Sequence, residues 1–142
     1  MNTRRVFQFE LATKPGVIDR NRRLITQKSW DKAIHTEFIQ TLLSQNKLPI
    51  TSGYKSINIL DEAVSTPLSE IIGYVTTINN EYITVRAYDE NGEEVLTELQ
   101  NRGSMAHMIG VGHFERLVIG TGDDAESVSI LTDIKLTRFD IH

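Results

Sequence analysis

The sequence predicts an α+β fold: a mainly antiparallel β-sheet or small barrel, with one long and one short helix packed on it. Three observations lead there. Apolar and polar residues alternate with period two in several stretches, as in half-buried strands. One stretch, Gln27 to Ser44, instead places apolar residues at three- and four-residue spacing, as an amphipathic helix does. The chain has 142 residues, a length that suits a single domain with a substantial core.

The elements follow in order. Phe7, Phe9 and Leu11 alternate with Gln8 and Glu10, which predicts a first strand over Arg5–Leu11. Pro15-Gly16 breaks it, and Asp19-Arg20-Asn21-Arg22-Arg23 reads as a charged loop. The long helix comes next, with Thr26 as its N-cap. Trp30, Ala33, Ile34, Phe38, Leu42 and Leu43 form its apolar stripe, read as core rather than as a partner-binding face. Asn46 and Pro49 mark its exit. Leu48 to Pro67 reads as a long loop, polar over Thr51–Ser56, with a short strand at Ile57–Leu60.

A hairpin follows. Ile71–Ile78 is rich in β-branched residues, Asn79-Asn80 is its turn, and Glu81–Tyr88 returns. On the return strand Ile83, Val85 and Ala87 share one face, and Tyr82, Thr84, Arg86 and Tyr88 the other. Glu93–Arg102 is the short helix: Glu93 and Glu94 suit the positive end of its dipole, and Gly103 suits a left-handed cap. The remainder is β again, over Met105–His113, Phe114–Ile119 and Ser127–Ile141. Gly110 and Gly112 suggest a bulge or close backbone approach, and the last strand should bend near Thr132-Asp133.

Composition bounds the function. A net charge of −4 argues against broad, non-specific nucleic-acid binding. Charge is unevenly placed, however. Arg4, Arg5, Lys14, Arg20, Arg22 and Arg23 crowd one end, and Asp89–Glu98 is acidic, so the two regions would meet within one molecule or between subunits. The absence of cysteine excludes disulfides and zinc–thiolate sites. Met1–Glu10 lacks the apolar core of a signal peptide, and no apolar run approaches the roughly 18–20 residues of a membrane span. The expected location is the cytoplasm, or a particle assembled there.

No complete catalytic or metal motif stands out. His107 and His113, with Glu115 nearby, would share a face of a continuous strand, but they lack HxH or HExxH spacing. Ser104 and His107 would make a nucleophile–base pair, but no GxSxG elbow surrounds the serine. Gly110-Val111-Gly112 lacks the third glycine and the helix of a nucleotide loop. Asp123 and Asp124 in Gly120–Asp124 lack the spaced ligands of a calcium loop. Tyr74, Tyr82, Tyr88 and Arg86 would offer stacking to a single strand, without other clustered cations to hold its backbone. In each case the structural reading is preferred, and no cofactor is expected.

The order of segments resembles the prohead (capsid-maturation) serine proteases of tailed phages, a family sharing its fold with herpesvirus assemblins. Asp19–Ile25 and the helix at Trp30 are similar to the family's early arginine-rich stretch and following helix. Leu68–Tyr88 resembles its central hairpin, and Asn91-Gly92-Glu93 to Gly103 its glycine-ended helix. Thr132–Ile141, with Leu136 and Phe139-Asp140-Ile141, resembles its closing strand. The catalytic positions depart from the family. Its histidine in the loop after the first helix has no counterpart in Pro49–Ser56, and its serine has none in Met108–His113.

The resemblance therefore implies a protease fold without the family's acyl-transfer chemistry, and no catalytic residue carries over. It implies a virion protein, assembled in the host cytoplasm, with a decoration, cement or assembly role. The partners would be capsid or other virion proteins, with the chain homo-oligomeric or lattice-bound and away from membranes and nucleic acid. Arg20, Arg22, Arg23, Glu93 and Glu94 are the candidate contacts. The alternatives are a protease with a displaced site, using Ser104 with His107 or His113, and a small regulatory module that binds nucleic acid or a ligand.

Overall fold

The computed structural model describes residues 4–53 and 70–142. These form seven strands and three α-helices: β1 (Val6–Glu10), β2 (Arg23–Ile25), α1 (Gln27–Ile34), α2 (Glu37–Ser44), β3 (Pro49–Ser52), β4 (Gly73–Ile78), β5 (Tyr82–Ala87), α3 (Glu90–Asn101), β6 (Ala106–Ile119) and β7 (Glu126–Ile141). The strands make one sheet in the order β1-β5-β4-β3-β7-β2, with β6 also paired to β7. Pairing is antiparallel except where β2 and β3 join β7. Because β6 runs along one edge of β7, the other edge is shared by β2 at residues 129–131 and β3 at residues 139–141.

The sheet is open rather than a closed barrel. Among the described residues, β1 returns to β6 through an isolated bridge, Leu11 to Ala106, where the Ala12 N–H donates to the Ala106 carbonyl at 2.9 Å. A barrel needs a continuous ladder at that seam.

The alternation read in the sequence sets the core. Phe7 and Phe9 of β1 lie opposite Val85 and Ile83 of β5, and all four are buried. Gly110 and the residues around Gly112 fall at shifts in the β6–β7 register. A Cβ on Gly110 would sit 2.2 Å from the Lys135 carbonyl oxygen, so glycine there permits close backbone approach. Asp133 takes φ 51° at the expected bend of β7.

The helices depart from expectation in one respect: the single helix over Gln27–Ser44 is two. Thr26 caps α1 by accepting the Ser29 N–H, as expected. His35 then ends α1, and Thr36, at φ −64° and ψ 151°, accepts the Ile39 N–H to begin α2. A threonine able to cap thus divides the run. The break also turns out Phe38, expected in the apolar stripe; it is exposed, whereas Trp30, Ala33, Ile34 and Ile39 are buried. α3 starts one turn earlier than expected, because Asp89 caps it through the Gly92 N–H at 2.8 Å.

Two short strands replace expected loop. β2 follows directly on the arginine-rich turn. β3 occupies Pro49–Ser52 near the middle of the sheet, with Ile50 and Thr51 buried against β7 and β4. The strand expected at Ile57–Leu60, together with Pro67, lies outside the described residues. No helix among the described residues is long and apolar enough to cross a membrane.

Candidate functional site

Among the described residues, the buried polar side chains Thr51, Arg138 and Asp140 lie where β3, β7 and β6 run side by side. Thr51 pairs with Asp140, and Asp140 with His107, so three strands place one polar residue each in a single row. His142 follows two residues after Asp140, and Arg138 precedes it by two. Residues two apart on a strand share a face, which brings all three to this row.

The contacts are specific. Asp140 is fully buried, and its carboxylate accepts the Thr51 hydroxyl at 2.6 Å and His142 Nδ1 at 2.6 Å. Arg138, also buried, donates from Nε to the Thr51 hydroxyl oxygen at 3.1 Å. The carboxylate places a His142 proton on Nδ1. The His107 ring stacks on the His142 ring, with centroids 3.6 Å apart and planes within 6°. Burial holds His107 below the usual histidine range, and the facing His142 and Arg23 add to this. The His142 backbone and the Asp140 carboxylate pull the other way without reversing it.

At the outer end of the row, His107 and His142 form one wall of a cleft of about 300 Å³. Thr13, Asn21 and Arg23 line it with the two histidines, and Leu11, Met108, Ile109 and Leu131 supply apolar surface. The arginine-rich turn is thus ordered structure and not only a solvated loop. Asp19 accepts the Thr13 hydroxyl at 2.6 Å, the Asn21 N–H at 2.8 Å and the Arg23 N–H at 2.9 Å. Burial pushes the Asp19 carboxyl up, but these bonds and the Arg23 charge together outweigh it and hold it below the usual carboxylate range. Arg23 Nε lies 3.3 Å from Asp19 without forming a hydrogen bond, and it is buried.

The residues singled out in the sequence are dispersed. His107 is in the row, but His113 pairs with Thr132 beyond two register shifts. Six residues of extended strand span roughly 20 Å, so His113 and Glu115 do not join it. No group of three or more histidine, aspartate or glutamate residues fit to hold a metal occurs among the described residues. Ser104 lies just before β6, and its backbone N–H donates to the Leu99 carbonyl at 3.1 Å; no hydrogen bond joins its side chain to His107 or His113 among the described residues. Gly110 and Gly112 sit in the β6–β7 ladder, and Gly120–Asp124 turns between those strands. Arg86 lies opposite Tyr74 and donates to the Arg4 carbonyl at 3.2 Å, and Tyr88 is exposed.

The charged candidates are likewise spread. Arg22 pairs with Glu126 at 2.5 Å at the start of β7, Arg23 faces Asp19, and Arg20 is exposed. Glu93 meets Arg4 at 3.5 Å, so the basic end and acidic middle do touch within one molecule; Glu94 is exposed.

No protein-family model matches the sequence, and no curated protein matches it. Among solved structures, the bacteriophage T4 capsid assembly protease, gp21, matches with a TM-score of 0.60 and 14% identity, over 96% of this chain and 79% of that one. The chain has a prohead-protease-like fold. At that identity the likeness concerns the fold alone. The strand after α2 supplies Thr51 to the polar row, and β6 supplies His107.

The sequence reading missed Thr51, Arg138 and Asp140 as a cluster. A signal was present in β7: Arg138, Asp140 and His142 alternate with apolar Phe139 and Ile141. Thr51 carried none, since its contact with Asp140 spans 89 residues and depends on parallel pairing.

Proposed function

We propose that the chain is a non-enzymatic structural protein of phage capsid assembly, with a decoration, cement or assembly role on its prohead-protease-like fold. The observation that carries this reading is the outer half of the β6–β7 ribbon. There Phe114 and Val118 are each 60% exposed, and Leu117 and Ile119 are 45% and 44% exposed. Alternation puts Phe114 and Val118 on one face and Leu117 and Ile119 on the other. Large apolar side chains exposed together mark protein contact surfaces, and an edge strand offers its backbone to a partner strand. At the tip of this ribbon Glu126, opposite Ile119, is tied to Arg22, and exposed Arg20 of the same turn adds positive charge. Glu93 and Glu94 on α3 form a second, acidic one. The partners are capsid or other virion proteins, and the chain works lattice-bound or as a homo-oligomer inside the virion.

Mass spectrometry of purified particles tests this. The protein should be recovered with capsids, and a Phe114→Ser, Val118→Ser double variant should stay folded but be lost from them. Recovery of the wild-type chain only as free protein overturns the proposal.

One observation favours a second reading, a protease with a displaced site: the His142–Asp140 pair at the cleft has the arrangement of a general base and its orienting carboxylate. Ser104→Ala or His142→Gln should then abolish processing of capsid-assembly proteins in infected cells. Unchanged processing in both variants removes that reading.

A further inference from the structure

The two stacked imidazoles sit at a structural seam. His142 exchanges backbone hydrogen bonds with Met105, at 2.9 and 3.1 Å, just before β6 begins. The next residue but one from Met105 is His107, and Ala106 between them carries the bridge to Leu11 that ties β1 to β6. Three chain segments therefore converge at the His107–His142 stack: the end of β1, the start of β6 and the end of β7.

Two imidazole rings 3.6 Å apart and parallel are compatible when at most one is charged. A second proton puts like charges face to face in a half-buried place. Among the other charged groups facing His107, the Asp140 carboxylate favours its charged form but is outweighed by burial and the facing His142 and Arg23. Asp140 on β7 is already engaged by Thr51 and His142, and Arg23 on β2 is a further cation. The remaining nearby charges, Arg138 and Asp19, are bonded to Thr51 and to the arginine-rich turn. The walls from β1 and β6 bring the apolar Leu11 and Met108.

We propose that the His107–His142 stack is a proton-sensitive latch on this seam: it holds β1, β6 and β7 together near neutral pH, and double protonation in mild acid forces the rings apart and loosens the seam locally. The rest of the sheet, held by its own ladders and core, stays closed. This is independent of the proposed capsid role, because it concerns only how the chain holds itself.

Amide hydrogen exchange followed by NMR reads the latch directly. The amides of Ala12, Met105 and His142 donate across the seam. After correction for intrinsic exchange, their protection should fall about tenfold or more between pH 7.5 and pH 5. Core amides of β4 and β5 should keep theirs. His107→Gln should remove the loss at the seam, and His113→Gln, on the exposed ribbon, should leave it unchanged. Because the His107 variant can itself perturb folding, the wild-type imidazole Cε1–H resonances provide a second readout: the two rings should titrate as a coupled pair. Seam protection that does not change with pH, or two independent single-site titrations, overturns the proposal.

Discussion

Replacing Thr51 by valine tests the central polar row with almost no change of shape. The threonine hydroxyl donates to the buried Asp140 carboxylate at 2.6 Å and accepts from buried Arg138 Nε at 3.1 Å. Valine fills the same space and keeps the β-branch that suits β3, so the change isolates the oxygen. It removes one hydrogen bond to each of two charged, buried groups. Such bonds contribute roughly 1.5–3 kcal/mol each, and an unsatisfied buried charged partner raises the cost further. The two losses share one atom and are not additive, so the expected destabilisation is about 3 kcal/mol, a large part of the roughly 5–15 kcal/mol that holds a domain together. Thr51→Ser keeps the hydroxyl and loses one methyl, so it should cost only about 1 kcal/mol. Urea unfolding of the three proteins side by side gives the comparison through their midpoints. A valine variant within about 0.5 kcal/mol of wild type, or a serine variant as damaged as the valine one, refutes the reasoning, because the hydroxyl would then not be what the row depends on.

Three further outcomes follow from particular contacts. Gly92→Ala should destabilise the protein although helix propensity alone favours it by about 1 kcal/mol: the new Cβ would lie 2.1 Å from the Ile72 carbonyl oxygen, and thermal unfolding should show a lower midpoint. Asp89→Ala, which removes the N-cap of α3, should cost about 1 kcal/mol by urea unfolding. Acid should lower stability in two stages. The His107 and Asp19 pKa values are both held down in the folded protein; the unfolded chain therefore binds more protons, and stability is full above each unfolded value and lost as pH falls through the folded one. The first loss begins near pH 6.5 with His107 and the second near pH 4 with Asp19. Unfolding midpoints measured from pH 8 to pH 3 should fall in that order, and His107→Gln should remove the first stage.

Much of the fold was legible because it is written in local pattern. Phe7 and Phe9 announce β1 by alternation, the β-branched run before Asn79-Asn80 announces a hairpin, and glycines 110 and 112 mark where β6 shifts register. The failures have physical causes. Thr36 reads as one more polar position on a helix face until its side chain is seen to cap, and then one helix becomes two. β2 and β3 have three and four residues, too few for a period to show. Each is a strand because β7 supplies a parallel edge for it, from more than 80 residues away.

The same cause hid the site. A search for chemistry in sequence favours ligands close together, so His107 was weighed with Ser104 and His113, its neighbours in the chain. The fold instead sets His107 beside Asp140 across one ladder, and Thr51 beside Asp140 across another. From β3 and β6 this chain contributes a threonine and a histidine to a row that is internally bonded. The Thr51 hydroxyl donates to Asp140 and accepts from Arg138, and Asp140 in turn holds His142. The Thr51 hydroxyl, bonded through both its proton and its oxygen, braces β3 against β7. Side-chain bonds thus join β3 to β7, and the β6–β7 ladder with the imidazole stack joins β6 to the end of β7.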